Sequence, residues 1–226
     1  MTKQEMKKID NDKELAKRIN NLTKKFLDNC PSAYQIRQYD AVSEISIELK
    51  ELKRYLYKIQ KNRNLKKLSI SSKPIPLRVI RKLAKLSQLE EIELCNYSNE
   101  ILLQKTLILL NKFKNLQKLT IHNSNIKYIP KEIGELQTLT ELRVYFTNIK
   151  SLPLEIGSLT ELQILDISND QVDSLPHSVC NLKMLKEITV FTYLTNDINI
   201  LKKNLPNLSA IYIMNNNFEN LLENTF

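Results

Sequence analysis

Few residues in this 226-residue chain could do covalent, metal or phosphate chemistry: two histidines (His122, His177), three cysteines (Cys30, Cys95, Cys180) and two glycines (Gly134, Gly157). A zinc site is built from closely spaced Cys and His pairs, and these five Cys and His residues are not so spaced. A phosphate loop needs clustered glycines that turn backbone amides toward the anion, whereas the two here stand 23 residues apart. What remains is a lone thiol at Cys95 or a lone general base at His122. His122 reads as a surface side chain in preference to a base, and Cys95 stays open as a reactive thiol. The odd, widely spread cysteines do not form a disulfide framework, which fits a reducing compartment.

What positions these residues is a repeat. "IPKEIGELQTL", from Ile129 to Leu139, returns as "LPLEIGSLTEL", from Leu152 to Leu162, and both glycines take the same slot. Aligning on Leu-x-x-Leu-x-Leu extends the pattern to Leu65/Leu68/Ile70, Leu89/Ile92/Leu94, Leu116/Leu119/Ile121, Leu139/Leu142/Val144, Leu162/Leu165/Ile167, Leu185/Ile188/Val190 and Leu208/Ile211/Ile213. The spacings between successive starts are 24, 27, 23, 23, 23 and 23. Inside one unit Leu142 and Val144 alternate with Arg143 and Tyr145, which predicts a strand buried on one face. Leu152, Ile156 and Leu159 then follow at offsets of four and three. That spacing predicts a short helical or 3₁₀ segment begun at a proline, where no amide donor is needed. Each unit has two apolar edges that only stacked neighbours can bury. The glycine slot is expected to relieve crowding where the convex segment bends, with the small Cys180 filling it in the next copy.

These units resemble leucine-rich repeats over residues 65–226, and the Leu-Pro-x-x-Ile-Gly-x-Leu-x-x-Leu phrase is similar to the 23-residue class found in intracellular Ras-group-related plant proteins, Ras-pathway scaffolds and many bacterial proteins. The resemblance implies an α/β solenoid, a curved right-handed coil with a concave parallel β-sheet that recognises ligands. It also implies an Asn ladder at the ninth position, which here reads Lys73, Tyr97, Ser124, Thr147, Asp170, Tyr193 and Asn216. Ser, Thr and Asp can make part of that ladder, so irregularity is expected at Lys73, Tyr97 and Tyr193. Some bacterial relatives carry a ubiquitin-ligase domain with a Cys-x-Asp motif. The cysteines here read Cys-Pro-Ser, Cys-Asn-Tyr and Cys-Asn-Leu, and no residues remain for such a domain, so no enzyme and no cofactor is expected.

Ahead of the repeats, residues 1–41 are expected to form an α-helical N-terminal cap, from Ile19, Leu22, Phe26 and Leu27 and a stop at Pro31. Residues 42–64 are either a degenerate first repeat, with Val42, Ile45 and Ile47 in register 23 residues before Leu65, or a helix through Val42, Ile45, Leu49, Leu52, Leu56 and Ile59. The chain shows no secretion signal or membrane span, which suggests a cytoplasmic protein.

Strand alternation places two sets of side chains on the concave face. One is Ser69, Glu93, Thr120, Arg143, Asp166, Thr189 and Tyr212; the other is Ser71, Cys95, His122, Tyr145, Ser168, Phe191 and Met214. Arg143 with Asp166, and Lys118 with Glu141, are expected to neutralise each other. The candidate protein-binding set is Arg143, Tyr145, Phe146, Asp166, Ser168, Phe191, Tyr212 and Met214, in which Ser168 would floor a notch between Tyr145 and Phe191. The expected function is a protein–protein interaction scaffold with an unidentified protein partner and no small-molecule substrate. Abundant Lys, Asn and Ile hint at an AT-rich genome and a bacterial effector in a host cytosol. The alternative is a module for nucleic acid or anionic membrane. Residues 65–89 carry seven basic groups and no carboxylate, and they overlap a basic stretch (residues 53–85) that includes Arg78, Arg81, Lys82 and Lys85.

Overall fold

The computed structural model describes residues 44–48, 64–71, 73–168, 171–191, 195–214 and 220–223. The expected N-terminal cap at residues 1–41, residues 49–63, and Asp170, Tyr193 and Asn216 lie outside them. Among the described residues nine strands form one sheet in chain order: β1 (Glu44–Glu48), β2 (Lys67–Ser71), β3 (Glu91–Cys95), β4 (Lys118–Ser124), β5 (Glu141–Thr147), β6 (Ile164–Asp166), β7 (Glu187–Phe191), β8 (Ala210–Met214) and β9 (Asn220–Glu223). The first eight run parallel, and β9 turns back antiparallel along β8. In β1, Ile45 lies beside Leu68 and Ile47 beside Ile70.

The repeat triplets fix the register. Leu119 stands beside Leu142, Leu142 beside Leu165 and Leu165 beside Ile188, and all four are fully buried. Each leucine thus meets its counterparts in the units before and after, so one core runs the length of the solenoid.

The convex side is built from short segments. Pro130, Pro153 and Pro176, in extended backbone, precede 3₁₀ turns at Lys131–Glu135, Leu154–Ser158 and His177–Asn181. Ile133, Ile156 and Val179 point from these turns into the core. A Cβ built on Gly134 would lie 2.5 Å from the Glu155 carbonyl oxygen, and one on Gly157 would lie 2.5 Å from that of Ser178. The glycines are therefore required by the close approach of successive turns, as the repeat suggested. Cys180 is tolerated in the same slot where the next convex segment is not a 3₁₀ turn but a helix, α3 (Thr195–Asn204).

Longer units hold longer segments. The 24-residue unit carries α1 (Leu77–Leu83), and the 27-residue unit carries the eleven-residue α2 (Glu100–Leu110). The α2 helix starts at Asn99, whose Oδ1 accepts from the amides of Ile101 and Leu102 at 2.8 and 3.2 Å. Glu100 in its first turn suits the positive end of the helix dipole. Under α2 lies Tyr97, fully buried, with its hydroxyl 3.2 Å from Thr106 Oγ1. At the ninth position the Tyr97 hydroxyl reaches the Ile75 backbone of the preceding unit, while Ser124 accepts the Tyr97 amide at 3.0 Å and donates to the His122 carbonyl at 2.9 Å.

Candidate protein-binding face

The concave residues form an ionic strip and an aromatic ledge. In the strip, Lys67 pairs with Glu91 at 2.6 Å and Glu93 at 3.1 Å, and Lys118 pairs with Glu141 at 3.1 Å. Arg143 bridges Glu141 and Asp166, the second at 3.5 Å. The two pairs expected from the repeat register are present, and Arg143–Glu141 joins them into a chain Lys118–Glu141–Arg143–Asp166. Burial raises the Asp166 pKa above the usual carboxylate value, opposed by Ser168 and Arg143. Burial lowers that of Arg143, but Glu141 and Asp166 outweigh it and leave the net shift upward.

The ledge is made by neighbours in β4 and β5. His122 lies beside Tyr145 in the strand register, and Tyr145 meets Phe146 edge-on at 5.4 Å between ring centroids. Phe146 is 61% exposed and takes a left-handed backbone conformation, φ 51°. Asn96 (φ 60°) and Asn123 (φ 48°) hold the equivalent position of the two preceding units. Asn tolerates that region; a bulky aromatic does not. Sequence reasoning grouped Phe146 with the ledge but missed its backbone, although Asn at 96, 123, 169 and 215 marked the slot.

The remaining candidates divide. Ser168 turns to its own strand: its hydroxyl and its amide both donate to Asp166 Oδ1, the amide at 3.1 Å. That local turn ends β6 at Asp166, so Ser168 sits beyond the strand. Phe191 pairs with Met214 in the backbone register, and its side chain lies outside the described residues. Tyr212 and Met214 are half-buried in β8, with β9 alongside. Cys95 is not an accessible thiol. It is 4% exposed, and its Sγ donates to the Ile70 carbonyl at 3.0 Å. Arg78, Arg81, Lys82 and Lys85 are exposed on or just after α1, whose Val79, Ile80 and Leu83 face the core.

The family described as "Leucine-rich repeat region" matches residues 109–225, more than half of the chain. This chain belongs to the leucine-rich repeat family. Among solved structures, this leucine-rich repeat chain is similar to a leucine-rich repeat protein of Leptospira interrogans at 25% identity and a TM-score of 0.52, over 76% of this chain and 43% of that one. It is similar in fold to TLR13, solved in complex with ssRNA13, at 21% identity and a TM-score of 0.57, over 76% of this chain and 26% of that one. The chain thus spans less than half the length of either neighbour. No curated protein matches its sequence. Among the described residues no helix is long and apolar enough to cross a membrane, and no group of three or more His, Cys, Asp or Glu could hold a metal ion.

Proposed function

We propose that this leucine-rich repeat chain is a non-catalytic scaffold that binds a protein partner on its concave face, with Tyr145 and Phe146 as anchors and Arg143 and Asp166 as polar guides beside them. Tyr212 and Met214 extend the surface toward the C-terminal end. The observation that carries the reading is Phe146, a bulky ring that is exposed while its backbone is held in a left-handed conformation. Such a conformation costs about 1–3 kcal/mol, and exposure of the ring adds to it. Strained residues concentrate at sites of recognition, and aromatic anchors carry most of an interface's binding energy. The composition supports a bacterial effector as the setting.

The charge of the concave face bears on the alternative. Among the described residues Lys67, Lys118 and Arg143 stand among six carboxylates, Glu44, Glu91, Glu93, Glu141, Asp166 and Glu187, although the chain as a whole is +9. A face with that balance does not attract phosphate, so TLR13's ligand class does not transfer to it. A polyanion would have to use the α1 flank, with Arg78, Arg81, Lys82 and Lys85. Pull-downs with the parent, Tyr145→Ala/Phe146→Ala and Arg78→Gln/Arg81→Gln/Lys82→Gln/Lys85→Gln variants separate the two. Loss of the captured protein only in the aromatic variant supports the scaffold. Loss only in the basic variant, with steep salt dependence, would replace it with the polyanion reading.

A further inference from the structure

The lengthening of the 27-residue unit changes its neighbour. Because α2 is long, Gln104 reaches over the next convex turn and donates from Nε2 to Glu132 Oε1 at 2.7 Å. Glu132 is only 7% exposed, while Glu155, its counterpart one unit on, is exposed. The other Glu132 oxygen, Oε2, is buried with no hydrogen-bond partner among the described residues. A buried carboxylate oxygen with no donor is a costly arrangement.

Glu132 is among the residues lining an open cavity of about 380 Å³ between the first turn of α2 and the turns at residues 128–132 and 151–153, with its Oε2 just beneath the accessible wall. Two carboxylates, Glu100 and Glu132, stand in its wall against one cation, Lys131. The Glu100 carboxylate accepts the Lys127 amide at 2.8 Å, which holds its pKa below the ordinary glutamate value. Ile101 and Tyr128, both exposed, supply apolar surface in the same wall.

We propose that this groove is a second binding site, separate from the concave face, that takes an arginine side chain from an extended segment of a partner protein. A guanidinium offers five donors in a flat fork, enough for Glu132 Oε2 and Glu100 together. The terminal carboxylate torsion is soft, so Oε2 can turn to meet a donor. The arginine stem covers Ile101, and the planar head stacks on Tyr128. An ammonium would satisfy fewer of these groups, and a neutral side chain would leave Oε2 unpaired.

The test titrates the full chain with acetyl-leucyl-arginyl-leucine amide, followed by NMR at the Ile101 methyls and the Tyr128 ring. Both signals should shift with the arginine peptide and stay still with the isosteric citrulline peptide. Acetyl-arginine amide should bind more weakly than the tripeptide. Glu132→Gln keeps the acceptor for Gln104 and removes the charge, and should weaken binding roughly tenfold or more. Glu100→Gln, at the half-buried start of α2, gives a second readout should Glu132→Gln fail to fold. Tyr145→Ala/Phe146→Ala should bind the peptide like the parent, so this site can stand or fall apart from the concave one. Equal shifts with citrulline, no shift with arginine, or unchanged affinity in the glutamate variants would each overturn the proposal. Equal affinity for acetyl-arginine amide and the tripeptide would replace the partner segment by a free small molecule.

Discussion

The His122 imidazole lies stacked on the Tyr145 ring, with centroids 5.4 Å apart and planes inclined by 22°, because the two residues face each other across the parallel register of β4 and β5. Burial between the strands lowers the His122 pKa, against the charge of Glu93, which raises it. A base whose folded pKa lies below its unfolded value adds stability that is full above about 6.5 and is lost as pH falls through the folded value. An NMR titration should therefore place the His122 midpoint below about 6.5. His122→Phe should keep the ring stack and flatten that part of the acid limb of stability. A His122 midpoint at or above the ordinary value would contradict the burial of the stack.

Leu165 is fully buried between Leu142 and Ile188. Leu165→Ala should cost about 2–5 kcal/mol, the range for a truncated core leucine, read as a lower urea midpoint. An unchanged midpoint would contradict the shared core.

The two glycines give a sharper test of stacking. Gly157→Ala places a methyl against the Ser178 backbone, which cannot swing aside as a side chain would, and should cost about 1–3 kcal/mol. Cys180→Ala fills the same slot before α3 and should change stability by less than about 1 kcal/mol. Equal effects at both sites would mean that the turns do not meet as described.

Burial pushes the Tyr97 phenol up to about 12, against hydrogen bonds to Thr106 and the Ile75 backbone. An acid whose folded pKa is raised leaves stability full below about 10 and loses it as pH rises through the folded value. A near-ultraviolet titration should show Tyr97 ionising only at about 12, and Tyr97→Phe should remove that component. The same substitution should cost about 0.5–1.5 kcal/mol near neutral pH. Ionisation of every tyrosine near 10 would contradict its burial.

The fold was legible because the solenoid repeats one local rule: each Leu-x-x-Leu-x-Leu triplet is a strand, and its neighbours sit one period away. Registers such as Leu142 beside Leu165 follow from the spacing alone. What did not follow depends on contacts between units of different length. The 27-residue spacing did not reveal that α2 would bury Glu132, nor that Tyr97 would fill the space beneath it. Cys95 alternates onto the concave set but is drawn to the Ile70 carbonyl. Ser168 likewise sits in the expected set, yet Asp166 two residues earlier captures it and ends the strand. In both places a side-chain hydrogen bond that spacing does not reveal occupies a residue of the expected concave set. The aromatic ledge was readable as a composition bias, and its strain was not, because backbone conformation at the eighth position shows only through the asparagines of other units.

Phe146→Asn tests the concave-face reading most directly, because it separates folding from binding at one residue. Asn96 and Asn123 show that asparagine suits this left-handed position. The substitution should raise stability by about 1 kcal/mol as strain is released. Calorimetric titration of the captured partner should show binding ~30-fold weaker, the loss expected of an anchor. A Phe146→Asn chain that binds that partner as tightly as the parent would contradict the assignment of the concave aromatic ledge as the binding site.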